Sequence, residues 1–170
     1  PSHFPDCLAP HYPRILNYLL DSNYSFIDHL DSLLNFESVA WIEFFLDTVA
    51  FDVNCQNSFG ETPVLLVTKY SNTKLFLKLV KLGADINLTS NLGDSVLFHA
   101  TIKFNNEILD EALRLGADVN LSHLLFKRTA LHNAFIFGNL YAITKLVEFG
   151  SSLTVKDQKG KTPLEYFSSS

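Results

Sequence analysis

The stretch NSFGETPVLLVTKYSNTKLFLKLVKLGADIN, at residues 57–87, decides the fold because its parts recur downstream at nearly constant spacing. Its ending, GADIN at 83–87, returns 33 residues later as GADVN at 116–120. A weaker copy, GSSLT, follows another 34 residues on, at 150–154. A fixed period of this length indicates a repeat protein, in which each unit buries its apolar face only against its neighbours.

Each unit is predicted to contain a tight turn followed by two helices. Thr62 and Ser95 come two residues after a turn glycine, where a hydroxyl can accept a hydrogen bond from the first turn of a helix. The second helix of each unit carries Leu and Ile at three- and four-residue spacing and stops at Gly, which tolerates the left-handed conformation at a helix end. These signals predict three regular units, at residues 57–89, 90–123 and 124–156, and a partial fourth unit at 157–170.

Residues 1–56 follow the pattern less closely. Apolar residues at helical spacing predict a helix from Pro13, then a helix near 26–36 and a largely apolar helix at 39–49. The stretch DHLDSLLNF at 28–36 contains no glycine or turn cluster, so no turn of the later kind is expected there. We therefore interpret residues 1–56 as degenerate N-terminal helical repeats that act partly as a cap.

Several short motifs fall in one register along the chain. They are GETPV at 60–64, TALH at 129–132, GKTPL at 160–164 and the two endings GADIN and GADVN. This pattern resembles the ankyrin repeat, closely over residues 57–167 and loosely over 13–56. The resemblance implies an all-α ankyrin-repeat solenoid of stacked helix-turn-helix pairs with short β-hairpin fingers.

The composition supports a folded domain with an uneven charge. The chain has 170 residues, of which 47% are hydrophobic and 18% charged. Residues 1–56 hold eight acids and one base, whereas residues 124–170 hold six bases and three acids. This asymmetry indicates either an ordinary solvated surface or a basic end that steers an acidic partner. It also favours head-to-tail self-association, which salt would weaken.

Residues suited to catalysis or metal binding form no recognisable pattern. None of the six His and two Cys stands at the spacing of a metal site, and there is no glycine-rich phosphate loop or nucleophile motif. We therefore predict a protein that is not an enzyme and holds no metal or cofactor. The basic excess is too small to favour nucleic-acid binding, and no apolar run is long enough to span a bilayer.

The resemblance implies that partners are met at the finger tips and at the exposed ends of the first helices. Residues at these positions that we predict to bind a partner are Phe59, Glu61, Lys69, Tyr70, Leu92, Asp94, Ile102, Lys103, Leu125, Phe126, Arg128, Ile136 and Phe137. Among them, Phe59, Leu92 and Phe126 are predicted to form an apolar row along the fingers.

A second apolar row is predicted on the concave face, formed by Tyr70, Ile102 and Phe137. Contiguous exposed apolar area with aromatic side chains is typical of a binding surface, and Lys69 and Lys103 beside the row would supply a charged rim. The alternative is that irregular fingers fold these apolar side chains back into the core.

These observations predict a protein-protein interaction module, an adaptor or scaffold whose partner is another protein. A regulatory or targeting domain of a larger multidomain enzyme or effector is the alternative. It is suggested by the start at Pro1 and the lack of Met, which lead us to expect a piece of a longer protein. The two Cys match no disulfide framework, so we expect an intracellular location, in the cytoplasm or the nucleus.

Overall fold

The structure is a computed structural model that describes residues 26–35, 39–48 and 51–169. These residues form α-helices and one 3-10 helix, with no strand among them. The chain divides into two compact units, residues 1–52 and 53–170. The helix predicted from Pro13 lies outside the described residues.

In the described part of the N-terminal unit, two helices are in contact, α1 (Phe26–Asn35) and α2 (Val39–Thr48). Both lie where the sequence predicts helices. Ile27, Leu30 and Leu34 are buried and recur at three- and four-residue spacing, so they share one face of α1. This apolar face explains why the segment folds as a helix.

The C-terminal unit contains three helix pairs and a final 3-10 helix. The first helices of the pairs are α3 (Pro63–Lys69), α5 (Val96–Ile102) and α7 (Ala130–Ile136). The second helices are α4 (Thr73–Lys81), α6 (Asn106–Arg114) and α8 (Leu140–Glu148), and the 3-10 helix is Pro163–Ser169. Each first helix contacts the next first helix, each second helix contacts the next second helix, and α7 contacts the 3-10 helix.

Local capping explains where these helices begin. Thr62 and Ser95 cap α3 and α5, each accepting a hydrogen bond from a backbone N–H three residues on. The second helices begin in the same way, because the side chains of Asn72, Asn105 and Asn139 each accept such a bond at 3.0 Å. The hydroxyl caps predicted from the sequence therefore do set the starts of α3 and α5, and the asparagine caps of the second helices are an additional finding.

The loops that close the helix pairs are tied to one another by asparagine side chains. The Oδ1 atoms of Asn54 and Asn87 accept hydrogen bonds from the backbone N–H groups of Asp85 and Asp118, each at 2.8 Å. Asn120 accepts an equivalent bond from the next loop at 2.9 Å. This ladder shows what the final Asn of the GADIN-type ending does, since each Asn holds the loop of the following unit.

The β-hairpin fingers predicted from the resemblance are not present in the described residues, so this prediction was wrong. Each expected finger is a tight turn, and the described residues contain only an isolated bridge, between Ser122 and Thr129. The reason is the short distance to the next helix. Glu61 ends the first turn, and Thr62 already caps α3, so no residues remain to extend a strand pair.

None of the described helices is long and apolar enough to cross a membrane.

Candidate partner-binding surface

Four turns stand one behind another in the C-terminal unit, and we call them the turn stack. They are residues 57–61, 90–94, 123–128 and 157–161, and in each the first residue donates its backbone N–H to the carbonyl of the last at 2.9–3.1 Å. Neighbouring turns are joined as well. The backbone N–H of Asn91 donates to the Phe59 carbonyl at 2.9 Å, and that of Leu124 donates to the Leu92 carbonyl at 2.7 Å.

A third bond of this kind runs from the Gln158 N–H to the Phe126 carbonyl at 2.8 Å. Phe59, Leu92 and Phe126 are therefore equivalent positions, since each offers its carbonyl to the next turn. The turn stack is continuous from the first turn to the last through backbone hydrogen bonds alone. Its side chains are thus presented by a backbone with little freedom to move.

The first residue of every turn also caps the turn with its side chain. Asn57 Oδ1 accepts from the N–H of the residues two and four positions on, at 3.0 and 2.9 Å. Ser90 Oγ and Asp157 Oδ1 accept from the same two positions of their own turns. In the third turn, His123 Nδ1 is the capping atom and accepts hydrogen bonds from the backbone N–H groups two and three residues on. Side-chain acceptors therefore hold all four turns.

Glycine is required in the first two turns for two reasons. Gly60 and Gly93 have φ of 73° and 81°, in the left-handed region. A Cβ at Gly60 would lie 2.7 Å from the backbone nitrogen of Asn91, and one at Gly93 would lie 2.8 Å from the Ser122 carbonyl oxygen. The close approach of neighbouring turns thus depends on both glycines.

The predicted row of apolar side chains on the turns is exposed. Phe59 is 69% exposed, Leu92 46% and Phe126 47%, and Leu124 and Leu125 in the third turn are exposed as well. These side chains do not fold back into the core, which was the alternative left open by the sequence. The third turn carries the largest number of them.

The charged residues predicted beside this row are engaged within the molecule. Glu61 pairs with Lys69 at 3.1 Å, and Asp94 accepts a hydrogen bond from Ser90 Oγ at 3.0 Å. Arg128 lies 3.4 Å from a carboxyl oxygen of Asp157, the first residue of the fourth turn. They help to hold the turns in place.

The second predicted row lies at the ends of the first helices, and the structure changes its register. Tyr70, Lys103 and Phe137 are the C-cap residues of α3, α5 and α7 and are therefore equivalent. Ile102 and Ile136 stand one position earlier, as the last helical residues, and are half-buried. The row of equivalent positions thus contains a cation, Lys103, where the sequence analysis placed Ile102.

A bulky residue in the left-handed region follows one of these caps. Ser71, Phe104 and Gly138 occupy the same position and have φ of 58°, 56° and 67°. The left-handed conformation costs a residue with a Cβ roughly 1–2 kcal/mol. Phe104 is nevertheless exposed, so burial of its ring does not offset this cost. The sequence analysis missed it, although alignment with Gly138 could have found it.

A stack of aromatic and cationic side chains runs through the third turn. The ring of His123 lies between those of Phe98 and Phe126, with centroid distances of 5.6 and 4.6 Å. The guanidinium of Arg128 lies 5.6 Å from the Phe126 ring and 5.4 Å from the ring of Tyr166. This aromatic–cation stack holds Phe126 in place, although the side chain remains 47% exposed.

The sequence analysis missed the roles of Phe98, His123 and Tyr166. The available signal was positional, because His123 aligns with the turn-capping residues Asn57 and Ser90. An imidazole nitrogen can accept hydrogen bonds as their oxygens do. A search for side-chain acceptors at the start of each turn would have identified it.

The Asp157 carboxylate joins this stack to the last turn. Burial alone would raise the pKa of Asp157, but hydrogen bonds from the Tyr166 hydroxyl and from the backbone N–H groups of Lys161 and Lys159 hold it at about 2. The carboxylate is therefore ionised at neutral pH, where it can pair with Arg128. It fixes the last turn against Arg128 and Tyr166.

His132 connects α7 to the fourth turn. Its Nδ1 accepts a hydrogen bond from the Thr129 N–H at 3.2 Å, so the proton resides on Nε2, which lies 3.2 Å from the Lys161 carbonyl oxygen. Burial lowers the pKa of His132 and outweighs the opposing effect of the Lys161 carbonyl. The neutral ring is the form that fits both contacts.

Groups that could coordinate a metal are dispersed over the part of the chain that the structure describes. No cluster of three or more His, Cys, Asp or Glu side chains occurs there. The features that converge are apolar tips, aromatic rings and cations, which are suited to recognition of another molecule.

In comparisons of the sequence with known proteins, no family model matched and no curated protein matched.

Proposed function

We propose that residues 53–169 form an ankyrin-type stack of repeats whose turns recognise a protein partner without catalysing a reaction. The fold supports this through three helix pairs in register, N-capping residues at equivalent positions, and asparagine and turn ladders that repeat from unit to unit. Such interlocked repeats present an extended and rigid surface.

The observation that carries the proposal is the row of exposed apolar side chains on the turn stack. The backbone carbonyls of Phe59, Leu92 and Phe126 accept hydrogen bonds from the next turn, yet their side chains are exposed to solvent. Burying them on folding would have been favourable by about 1.5–3 kcal/mol each. Their exposure on a fixed backbone is accounted for when a partner covers them.

The mechanism we propose is recognition by a preorganised surface. Because the turn stack is held by backbone hydrogen bonds and by capping side chains, a partner would order few additional groups when it binds. Phe126 is held further by stacking on His123 and Arg128. A few rigid aromatic and apolar anchors of this kind commonly supply most of the binding free energy.

A site-specific crosslinking experiment tests the proposal. A photoreactive phenylalanine derivative is placed at Leu92 in one variant and at Leu82 in another, and cells that produce each variant are illuminated. Both leucines are 46% exposed, but Leu82 ends the second helix α4 and lies outside the turn stack. The two positions therefore differ in location and not in accessibility.

We expect a discrete protein adduct from position 92 and none from position 82, because the partner contacts the turns. Mass spectrometry of the adduct identifies the partner and the residue that it places on the turn. Adducts of equal yield at both positions, or none at position 92, would contradict recognition by the turn stack.

A further inference from the structure

The sign of the charge changes along the turn stack. The last residue of each turn is Glu61, Asp94, Arg128 and Lys161 in order, so two acidic positions are followed by two basic ones. In the first turn, Glu61 is neutralised by Lys69 at 3.1 Å. In the second, the Asp94 carboxylate lies 3.8 Å from His123 Nε2 and accepts a hydrogen bond from Ser90.

The last two turns carry an excess of cations. Lys127 and Lys159 are exposed and form no ion pair with any residue that the structure describes. The nearby carboxylate of Asp157 is buried and occupied by Arg128 and Tyr166, and Glu165 accepts hydrogen bonds from Thr162. Lys127 and Lys159 are thus left for a ligand outside the chain.

Exposed apolar side chains stand among these cations. Leu124, Leu125 and Phe126 precede Lys127 in the third turn, and all three are exposed. The Phe126 ring stacks on His123 and lies 5.6 Å from the Arg128 guanidinium, so these two side chains hold it in place. This arrangement offers a fixed apolar anchor next to the exposed cation Lys127.

We propose that the third and fourth turns recognise an acidic polypeptide segment that carries leucine or aromatic side chains, an inference that rests on the proposed function. The apolar residues of the partner would cover Leu125 and Phe126, and its carboxylates would lie against Lys127 and Lys159. Complementary charge of this kind speeds association and selects among partners.

A polypeptide fits this surface better than an anionic membrane does. The Phe126 ring stacks on His123 at a centroid distance of 4.6 Å and lies 5.6 Å from the Arg128 guanidinium, and a side chain held in this way suits contact with another side chain. The apolar row also continues to Leu92, beside the acidic residue Asp94, which would repel an anionic membrane.

A selection experiment tests the inference with the full chain as bait. A display library of random peptides is passed over the immobilised protein, and the composition of the retained peptides is compared with that of the unselected library. We expect enrichment of Asp and Glu together with Leu and aromatic residues. Binding of a retained peptide should weaken as sodium chloride is raised.

Charge-reversal variants locate the binding. The double variant Lys127→Glu/Lys159→Glu should weaken binding of the retained peptide by about tenfold or more. The matched control Lys74→Glu/Lys81→Glu makes the same change in net charge on helix α4 and should leave binding unchanged. All four lysines are exposed, and circular dichroism confirms that both variants fold.

The outcomes separate this inference from the proposed function. If the retained peptides are neutral or basic and their binding still depends on Phe59 and Phe126, the proposal of an acidic partner is wrong, but recognition by the turns stands. Equal retention by the wild type and by a Phe59→Ser/Phe126→Ser variant would count against recognition itself. Sedimentation with phosphatidylserine–phosphatidylcholine vesicles, without peptide enrichment, would assign the surface to a membrane.

Discussion

The first two turns of the stack and the third turn are capped in the same way but by different residues. Residues 57–61 and 90–94 use a small polar residue to cap the turn and Gly in the left-handed position. Residues 123–128 contain one more residue, cap the turn with His123 and place Lys127 at φ 51°. A repeat can therefore depart from its pattern where a larger side chain replaces the lost contacts.

The departure also changes what the surface offers. In the regular turns the polar cap is small, and each tip carries one large apolar side chain, Phe59 or Leu92. In the third turn the imidazole of His123 creates a platform on which Phe126 stacks. The features that make the third turn irregular are therefore the same features that distinguish its surface from that of the regular turns.

The largest effect on stability is expected when a side chain is introduced where two neighbouring turns approach closely. Gly93→Ala places a Cβ 2.8 Å from the Ser122 carbonyl oxygen at a φ of 81°. We expect a loss of about 3 kcal/mol in the free energy of unfolding, from strain and from displacement of the third turn. Urea denaturation measures it.

Gly160→Ala is the matched control for this substitution. Its φ of 74° is similar, but a Cβ there meets nothing within 4 Å. Only the backbone term of about 1 kcal/mol should be lost. Equal losses at the two glycines would show that the spacing of the turns does not depend on Gly93.

The next largest effect is expected for His123→Ala, which removes the cap that is particular to the third turn. Two backbone N–H groups, those of Leu125 and Phe126, lose their acceptor, and the stack loses its middle ring. We expect a loss of about 2 kcal/mol in thermal or urea unfolding. His123→Asn, which restores an oxygen acceptor of the kind found at Asn57, should recover part of the loss. No difference between the two variants would contradict a capping role.

Acid should affect the last turn and not the first, because the cap of the last turn, Asp157, is charged and that of the first turn, Asn57, is not. The pKa of Asp157 is about 2 in the folded protein, below its ordinary value of 3.8. As the pH falls, the carboxylate of the unfolded chain therefore takes up a proton before that of the folded chain does. The stability that this carboxylate contributes is complete above about pH 4 and is lost as the pH falls toward 2. Asp157→Asn should flatten the pH dependence of stability in this range, measured by urea unfolding. An unchanged slope would contradict the assignment.

The smallest effect is expected when the third turn is made more regular. Lys127→Gly relieves the left-handed strain at φ 51° but increases the entropy of the unfolded chain. We expect a gain of about 0.5 kcal/mol, detectable as a slightly higher melting temperature. A loss of stability would show that the Lys127 side chain contributes contacts that its exposure does not suggest.

Much of the helical architecture could be predicted because its determinants are local. Hydroxyl caps such as Thr62, the asparagines before the second helices and the glycines after them act within a few residues, so their spacing marks the helix ends. The GADIN-type endings also located the loops, although the ladder that they form between units appears only in three dimensions.

The remaining features depend on contacts between units. The predicted β-hairpins are absent from the described residues because Thr62 starts a helix directly after the turn. The helix ends show that Lys103 is equivalent to Tyr70 and Phe137, whereas the prediction from the sequence used Ile102, one residue earlier. The stack around His123 joins residues from three units, so no local pattern reveals it.

The most direct measurement of the central claim compares binding with stability in one variant. Phe59→Ser/Leu92→Ser removes two exposed tips of the regular turns, and the affinity for the partner crosslinked at position 92 is measured beside the free energy of unfolding. We expect binding to weaken by about tenfold or more, while stability changes by less than about 0.5 kcal/mol. Unchanged affinity, or a loss of affinity that accompanies unfolding, would contradict recognition by the turn stack.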